Sequence, residues 1–162
     1  MRLIIIRHGK AERDAASGRE HDRALTSVGH AQAEFLGQAL KDAGLLPARL
    51  LHSPLVRAEQ TAREISRGCG CTREVCDDLA LDEPLGPVLE RIHLARGTDT
   101  GVLALVGHNP RLEQLGALLC ADLRGSGFRL RTGQSVVIDF TATAALDEGR
   151  LAETLRLPDG DE

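Results

Sequence analysis

Leu3-Ile4-Ile5-Ile6-Arg7-His8-Gly9 is the stretch on which the fold of this 162-residue chain turns. Its four apolar residues, three of them β-branched, do not alternate with polar ones and are stopped by a charged pair and a glycine. A short unbroken apolar run of this kind reads as a strand buried on both faces, followed by a turn. A strand covered on both faces needs helices on either side of its sheet.

The sequence downstream supplies them. Residues 10–24 are polar and charged and read as a surface loop. Thr26 is placed to cap a helix whose apolar positions Val28, Ala31, Phe35, Leu36, Ala39, Leu40 and Ala43 recur at steps of three and four, with Gly44 to end it. Arg49-Leu50-Leu51-His52 is a second short strand. Ser53 then caps a helix with Pro54 at its first position, Leu55, Val56, Ala62 and Ile65 turned inward and Arg57 in its early turns. Residues 73–76 suit a further strand, and Leu85, Val88, Leu89 and Ile92 mark a third helix. Gly101 leads into a strand at 102–106. Asn109 is positioned as a cap and Pro110 as the first residue of a fourth helix bearing Leu112, Leu115, Leu118 and Leu119. Residues 135–140 and 151–157 read as late edge strands. Strands alternating with helices predict an α/β fold: a three-layer sandwich with a largely parallel central sheet and helices on both faces, in a single domain over residues 1–162.

Composition narrows the function classes. With 42% apolar and 27% charged residues, the chain is too apolar for disorder, and at this length folding buries roughly 70% of its surface. Its apolar runs, such as those at 3–6 and 102–106, fall far short of the ~20 residues of a bilayer span. The first is also shorter than the ~7-residue core of a signal peptide, so a cytosolic protein without membrane contact is expected. Three Phe, no Tyr and no Trp leave no platform for stacking bases, and a net charge of −4 does not suit phosphate-backbone binding. Residues 1–73 hold 12 Lys/Arg and 8 Asp/Glu, whereas 74–162 hold 8 and 16. An acidic chain with arginines concentrated in one half suits a local anion site. Cys69, Cys71 and Cys76 form C-x-C-x4-C, which is not the paired spacing of structural zinc, so these and Cys120 read as reduced thiols. Arg124, Arg129 and Arg131 form a basic group in a Gly-rich stretch that reads as solvated charge or as a docking surface for acidic partners.

In open α/β sheets, ligands bind beyond the carboxyl ends of the strands. Arg7 and His8 follow the first predicted strand, Ser53 and Arg57 the second, and His108 the strand at 102–106. Residues about 50 apart in sequence can thus meet at one sheet edge. Alone, either histidine would read as structural; the pair beside Arg7 points to chemistry. Guanidinium groups grip phosphate oxygens and keep their charge, and they should lower the pKa of a neighbouring imidazole. A neutral imidazole nitrogen is a competent nucleophile near pH 7 when its other nitrogen is held. This is the equipment of phosphoryl transfer without a metal or cofactor.

At these residues the chain resembles a known family. Arg7-His8-Gly9 looks like the RHG signature of the histidine phosphatase superfamily, with its phosphoglycerate-mutase-like fold. Residues 53–62, SPLVRAEQTA, resemble that family's S-P-x-x-R-A-x-Q-T-A helix start, and Gly107-His108-Asn109-Pro110 its later G-H segment. Arg23-Ala24-Leu25-Thr26 and the short length are most similar to the SixA-type phosphohistidine phosphatases. The resemblance implies that His8 is a nucleophile forming a phosphohistidine intermediate and that Arg7, Arg57 and His108 bind the phosphoryl group. It also implies that Gly9 orients the His8 ring through its carbonyl, and that Arg23 and Ser53 belong to the substrate pocket. By themselves, Arg23 reads as a solvated loop residue and Ser53 as a helix cap. Larger members carry an Asn soon after RHG, which residues 10–16 lack, and a Glu in a longer insertion that protonates the leaving oxygen. Asp82 and Glu83 lie near that stretch and serve equally well as loop charges. A small site without a strong acid favours a P–N substrate, because imidazole leaves more readily than an alkoxide. The expectation is a metal-independent phosphatase acting on a phosphohistidine-bearing signalling or phosphotransfer protein, as a monomer. The alternatives are a phosphatase of small phosphomonoesters and a catalytically silent phosphate-binding adaptor.

Overall fold

The computed structural model describes residues 1–98 and 101–158. In chain order its elements are β1 (Arg2–Arg7), α1 (Ser27–Asp42), β2 (Arg49–His52), α2 (Val56–Cys69), β3 (Arg73–Val75), α3 (Gly86–Gly97), β4 (Val102–Gly107), α4 (Arg111–Leu119), β5 (Gln134–Asp139) and β6 (Arg150–Arg156), with short 3-10 turns at Glu20–Asp22 and Asp77–Leu79. The strands form one sheet in the order β3-β2-β4-β1-β5-β6. Every neighbouring pair up to β1 is parallel, and β5 runs antiparallel to both β1 and β6.

The run at 3–6 behaves as its composition requires: all four side chains are wholly buried, Leu3 and Ile5 on one face and Ile4 and Ile6 on the other. Val88, Ile92, Leu112, Leu115 and Leu119 of α3 and α4 pack against the first face, and Leu36, Leu40, Ala58, Ala62 and Ile65 of α1 and α2 against the second. Two apolar layers thus sandwich the sheet. Among the described residues, no helix is long and apolar enough to cross a membrane.

Four local expectations are corrected. β5 is an interior strand: its Val136, Val137 and Ile138 are buried, and it pairs with β1 on one side and β6 on the other. Only β6 is the late edge. In α1, Ala31 and Ala43 are exposed, and Gln32 and Ala33 take the inward positions. The helix after β2 starts at Val56 rather than Pro54, because Ser53 Oγ accepts the Leu55 N–H at 3.2 Å and leaves the chain extended through Leu55. Nor does Asn109 cap α4. Its side-chain amide donates to Glu113 Oε1 and Leu130 O at 3.0 and 2.8 Å.

Register sets the functional edge. Arg7 lies opposite Gly107 and His52 opposite Val106, so β1, β4 and β2 end side by side at one level. The strand pairing even runs on by one bond on each side, from His8 N to Gly107 O at 3.1 Å and from Ser53 N to Val106 O at 3.0 Å.

Candidate active site

His8 is the first residue beyond β1 and is 8% exposed. Its Nδ1 lies 2.7 Å from the Gly9 carbonyl oxygen. A carbonyl only accepts, so Nδ1 carries the proton and Nε2 keeps its lone pair. That nitrogen accepts from Arg57 Nε at 3.3 Å. Burial, more than any other cause, drives the His8 pKa down to about 3, against the Gly9 hydrogen bond and with help from Arg57, Arg7 and Arg23. The arginines contribute in the sense expected from sequence, but removal from water comes first.

The RHG turn is pinned from several sides. The Gly9 amide donates to Thr61 Oγ1 at 3.0 Å, and that hydroxyl donates to the Arg57 carbonyl at 2.7 Å. One threonine thus ties the turn to the helix that carries Arg57. A Cβ on Gly9 would lie 2.5 Å from the Gly29 carbonyl oxygen, so the first turn of α1 can approach only a glycine here. From the opposite side the Gly133 amide donates to the His8 and Arg7 carbonyls at 3.0 and 3.2 Å, from a residue at φ +64° that favours glycine. Arg7 NH1 and Asn109 Nδ2 both donate to Leu130 O, at 3.1 and 2.8 Å. Leu130 and Gly133 are therefore site-building residues that carried no signal in the sequence.

His108, the first residue past β4, is 3% exposed, and its ring centroid lies 5.1 Å from that of His8 at a tilt of 54°. Its Nε2 shares a 2.7 Å hydrogen bond with Ser53 Oγ, while its Nδ1 has no hydrogen-bond partner among the described residues. Burial, then the charges of His8, Arg57, Arg111 and Arg7, push its pKa down to about 2. Both rings are neutral at pH 7.

Arg57 sits in the first turn of α2 and is 3% exposed, and Arg23 reaches the same place from the loop between β1 and α1. Glu20 connects them: its Oε1 accepts from Arg57 NH2 at 3.0 Å and from Arg23 NH1 at 2.7 Å, and its carbonyl accepts from Arg57 NH1 at 3.0 Å. Nothing in the residues around Glu20 marks it for this role in advance. His8, Arg7, Gly9, Arg23, Ser53, Arg57 and His108 thus meet at one sheet edge. Asp82 and Glu83 do not join them by hydrogen bond or ion pair; both are exposed, and their charges act on Arg111. The basic group at 124–131 is divided: Arg124 bonds the Ala117 and Leu118 carbonyls near the end of α4, whereas Arg129 reaches Glu113 in its first turn. Cys69 and Cys71 lie with Sγ atoms 3.0 Å apart on the α1–α2 side of the sheet, and Cys76 is buried on the other side.

Two neutral, buried imidazoles among three arginines are groups that can hold an oxyanion and offer it a nitrogen lone pair. Residues 3–84 match the family model of the histidine phosphatase superfamily, branch 1, and so take in the RHG turn and the Arg57 helix. The chain belongs to that superfamily. It is 33% identical to the phosphohistidine phosphatase SixA of Escherichia coli K12 over 86% of each chain. Among solved structures, a SixA protein histidine phosphatase complexed with tungstate superimposes with a TM-score of 0.85 at 24% identity, covering 96% of this chain and 97% of that one. An Agrobacterium tumefaciens protein provisionally assigned as SixA gives 0.77 at 29% identity, covering 95% and 96%. The fold is therefore phosphoglycerate-mutase-like and the chain a phosphatase.

Proposed function

We propose that the protein dephosphorylates phosphohistidine on a signalling or phosphotransfer protein, through a phosphohistidine of its own at His8. The observation that carries this reading is the His8 ring itself: Nδ1–H bound to Gly9 O, Nε2 unprotonated and turned toward Arg57. In the first step Nε2 attacks phosphorus, the P–N bond of the substrate breaks, and the departing imidazole nitrogen takes up a proton. Water then attacks phosphorus, the His8 Nε2–P bond breaks, and orthophosphate leaves. Arg7, Arg23 and Arg57 offset the charge on the phosphoryl oxygens, and His108 offers Nδ1 to one of them, its ring held by Ser53. Fixed cations supply the electrostatic stabilisation, so the scheme calls on no metal or cofactor.

An imidazole leaving group needs less help from an acid than an alkoxide, which matches the exposed positions of Asp82 and Glu83. The E. coli relative bears the name of a phosphohistidine phosphatase, and the SixA structure with tungstate shows that an oxyanion binds that protein. We read residues 1–162 as one catalytic domain that works as a cytosolic monomer. Steady-state turnover of a phosphohistidine-bearing protein should exceed that of sugar and nucleotide phosphomonoesters by at least about 10²-fold in kcat/KM, the contribution of one general acid. Faster turnover of a phosphomonoester would transfer the assignment to small metabolites.

A further inference from the structure

A buried guanidinium has to have a partner, since removing a charge from water is costly unless it is paired. For Arg57 that partner is Glu20, whose carboxylate also holds Arg23. The guanidinium that binds this carboxylate through NH2 is the same one that faces His8 Nε2 through Nε. One planar group therefore sets the nucleophile and the Glu20 oxygen side by side. A phosphoryl group aligned with His8 Nε2 brings its own oxygens to those N–H groups.

We infer that Glu20 is an internal stand-in for the phosphoryl group, released from Arg23 and Arg57 when substrate enters and restored to them as orthophosphate leaves. The inference rests on the phosphatase reading of His8. Its parts are built for the exchange. Glu20 is 56% exposed in its side chain and belongs to a 3-10 turn with no buried residue, so its carboxylate can swing into water without disturbing the core. Arg57 stays behind on α2, and Arg23 keeps its 2.7 Å bond from Nε to the Glu12 carbonyl.

The consequence is a common cost on every phosphoryl ligand, which only a well-contacted substrate can carry. A small phosphate must displace a carboxylate with nothing but its own oxygens, and binds weakly. A phosphoryl group carried on a protein arrives with further contacts that offset the displacement. Glu20 then weakens the hold on free orthophosphate and speeds product release.

The test uses the full chain with Glu20→Gln, nearly isosteric, and Glu20→Ala, each checked for folding by circular dichroism. Inhibition by orthophosphate is measured against turnover of phosphoramidate and of a phosphohistidine-bearing protein. Both variants should bind orthophosphate about tenfold more tightly or better, the effect of removing one charged competitor. KM should fall for both phosphoramidate and the protein. Unchanged or weaker orthophosphate binding, with wild-type turnover intact, would mean that Glu20 merely braces the arginines and would overturn the inference. A wild-type protein that neither turns over these substrates nor binds orthophosphate would remove the phosphatase reading, and this inference with it.

Discussion

His8 and His52 are the same local device used twice. Each terminates or follows a parallel strand, and each is buried, at 8% and 3% exposure. Each points Nδ1 at the carbonyl of the next residue, at 2.7 and 2.9 Å, and each has an arginine near Nε2, Arg57 at 3.3 Å and Arg73 at 3.4 Å. The difference lies in their neighbours. β1 is central and flanked by β4, so His8 receives His108, Arg7 and the helix start that carries Arg57. β2 is flanked by the edge strand β3, and Arg73 is shared there with half-buried Glu59. A ring nitrogen fixed by its own backbone is thus only half of a nucleophilic site; the converging cations are the other half.

The sharpest separation should come from replacing each ring. His8→Ala should lower kcat by at least about 10³-fold with the fold intact. His52→Ala should leave kcat within about threefold and cost about 1–3 kcal/mol of stability, for a buried carbonyl left without its donor. Equal damage to kcat from both would break the distinction. The two arginines extend the comparison. Arg57→Lys keeps the charge but loses the planar fork, and kcat/KM should drop about 10²-fold, whereas Arg73→Lys should change it little. Ser53→Ala releases His108 Nε2 and should lower kcat about tenfold with KM nearly unchanged, by loosening a positioned ring.

The smallest effect is in stability against pH. His8 titrates at about 3 and His108 at about 2 in the folded chain, but near 6.5 when unfolded. Between those values the unfolded state binds more protons, so stability rises with pH across the window and is lost as pH falls below about 6.5. Denaturant melts at pH 7 and pH 5 should show the loss. His8→Gln should reduce its slope by about 1.4 kcal/mol per pH unit below pH 6, one histidine's share. An unaltered slope would mean that His8 is not held neutral by the fold.

Much of this was legible beforehand. The unbroken run at 3–6 announced a strand with two covered faces, and the parallel-sheet rule brought residues as distant as His8, Arg57 and His108 to one edge. The missing parts are those that depend on tertiary path. Ser53 has the look of a local cap, but its hydroxyl accepts the Leu55 N–H and also bonds His108 Nε2, a partner 55 residues away. Leu130 and Gly133 work through their backbones, which leave no mark in a sequence beyond a single glycine. Glu20 lies in a turn without periodicity, and only the burial of Arg57 gives its charge a purpose. β5 has the look of an edge in sequence because a mostly exposed strand such as β6 carries no pattern that shows which neighbour it covers.

The central claim is tested most directly by rapid acid-free quenching of the enzyme mixed with a ³²P-labelled phosphohistidine protein, followed by peptide mapping. The account predicts transient label on the peptide containing His8, stable to alkali and released by acid, absent from His8→Ala and retained in His52→Ala. Label on any other residue, or turnover that persists in His8→Ala, would contradict it.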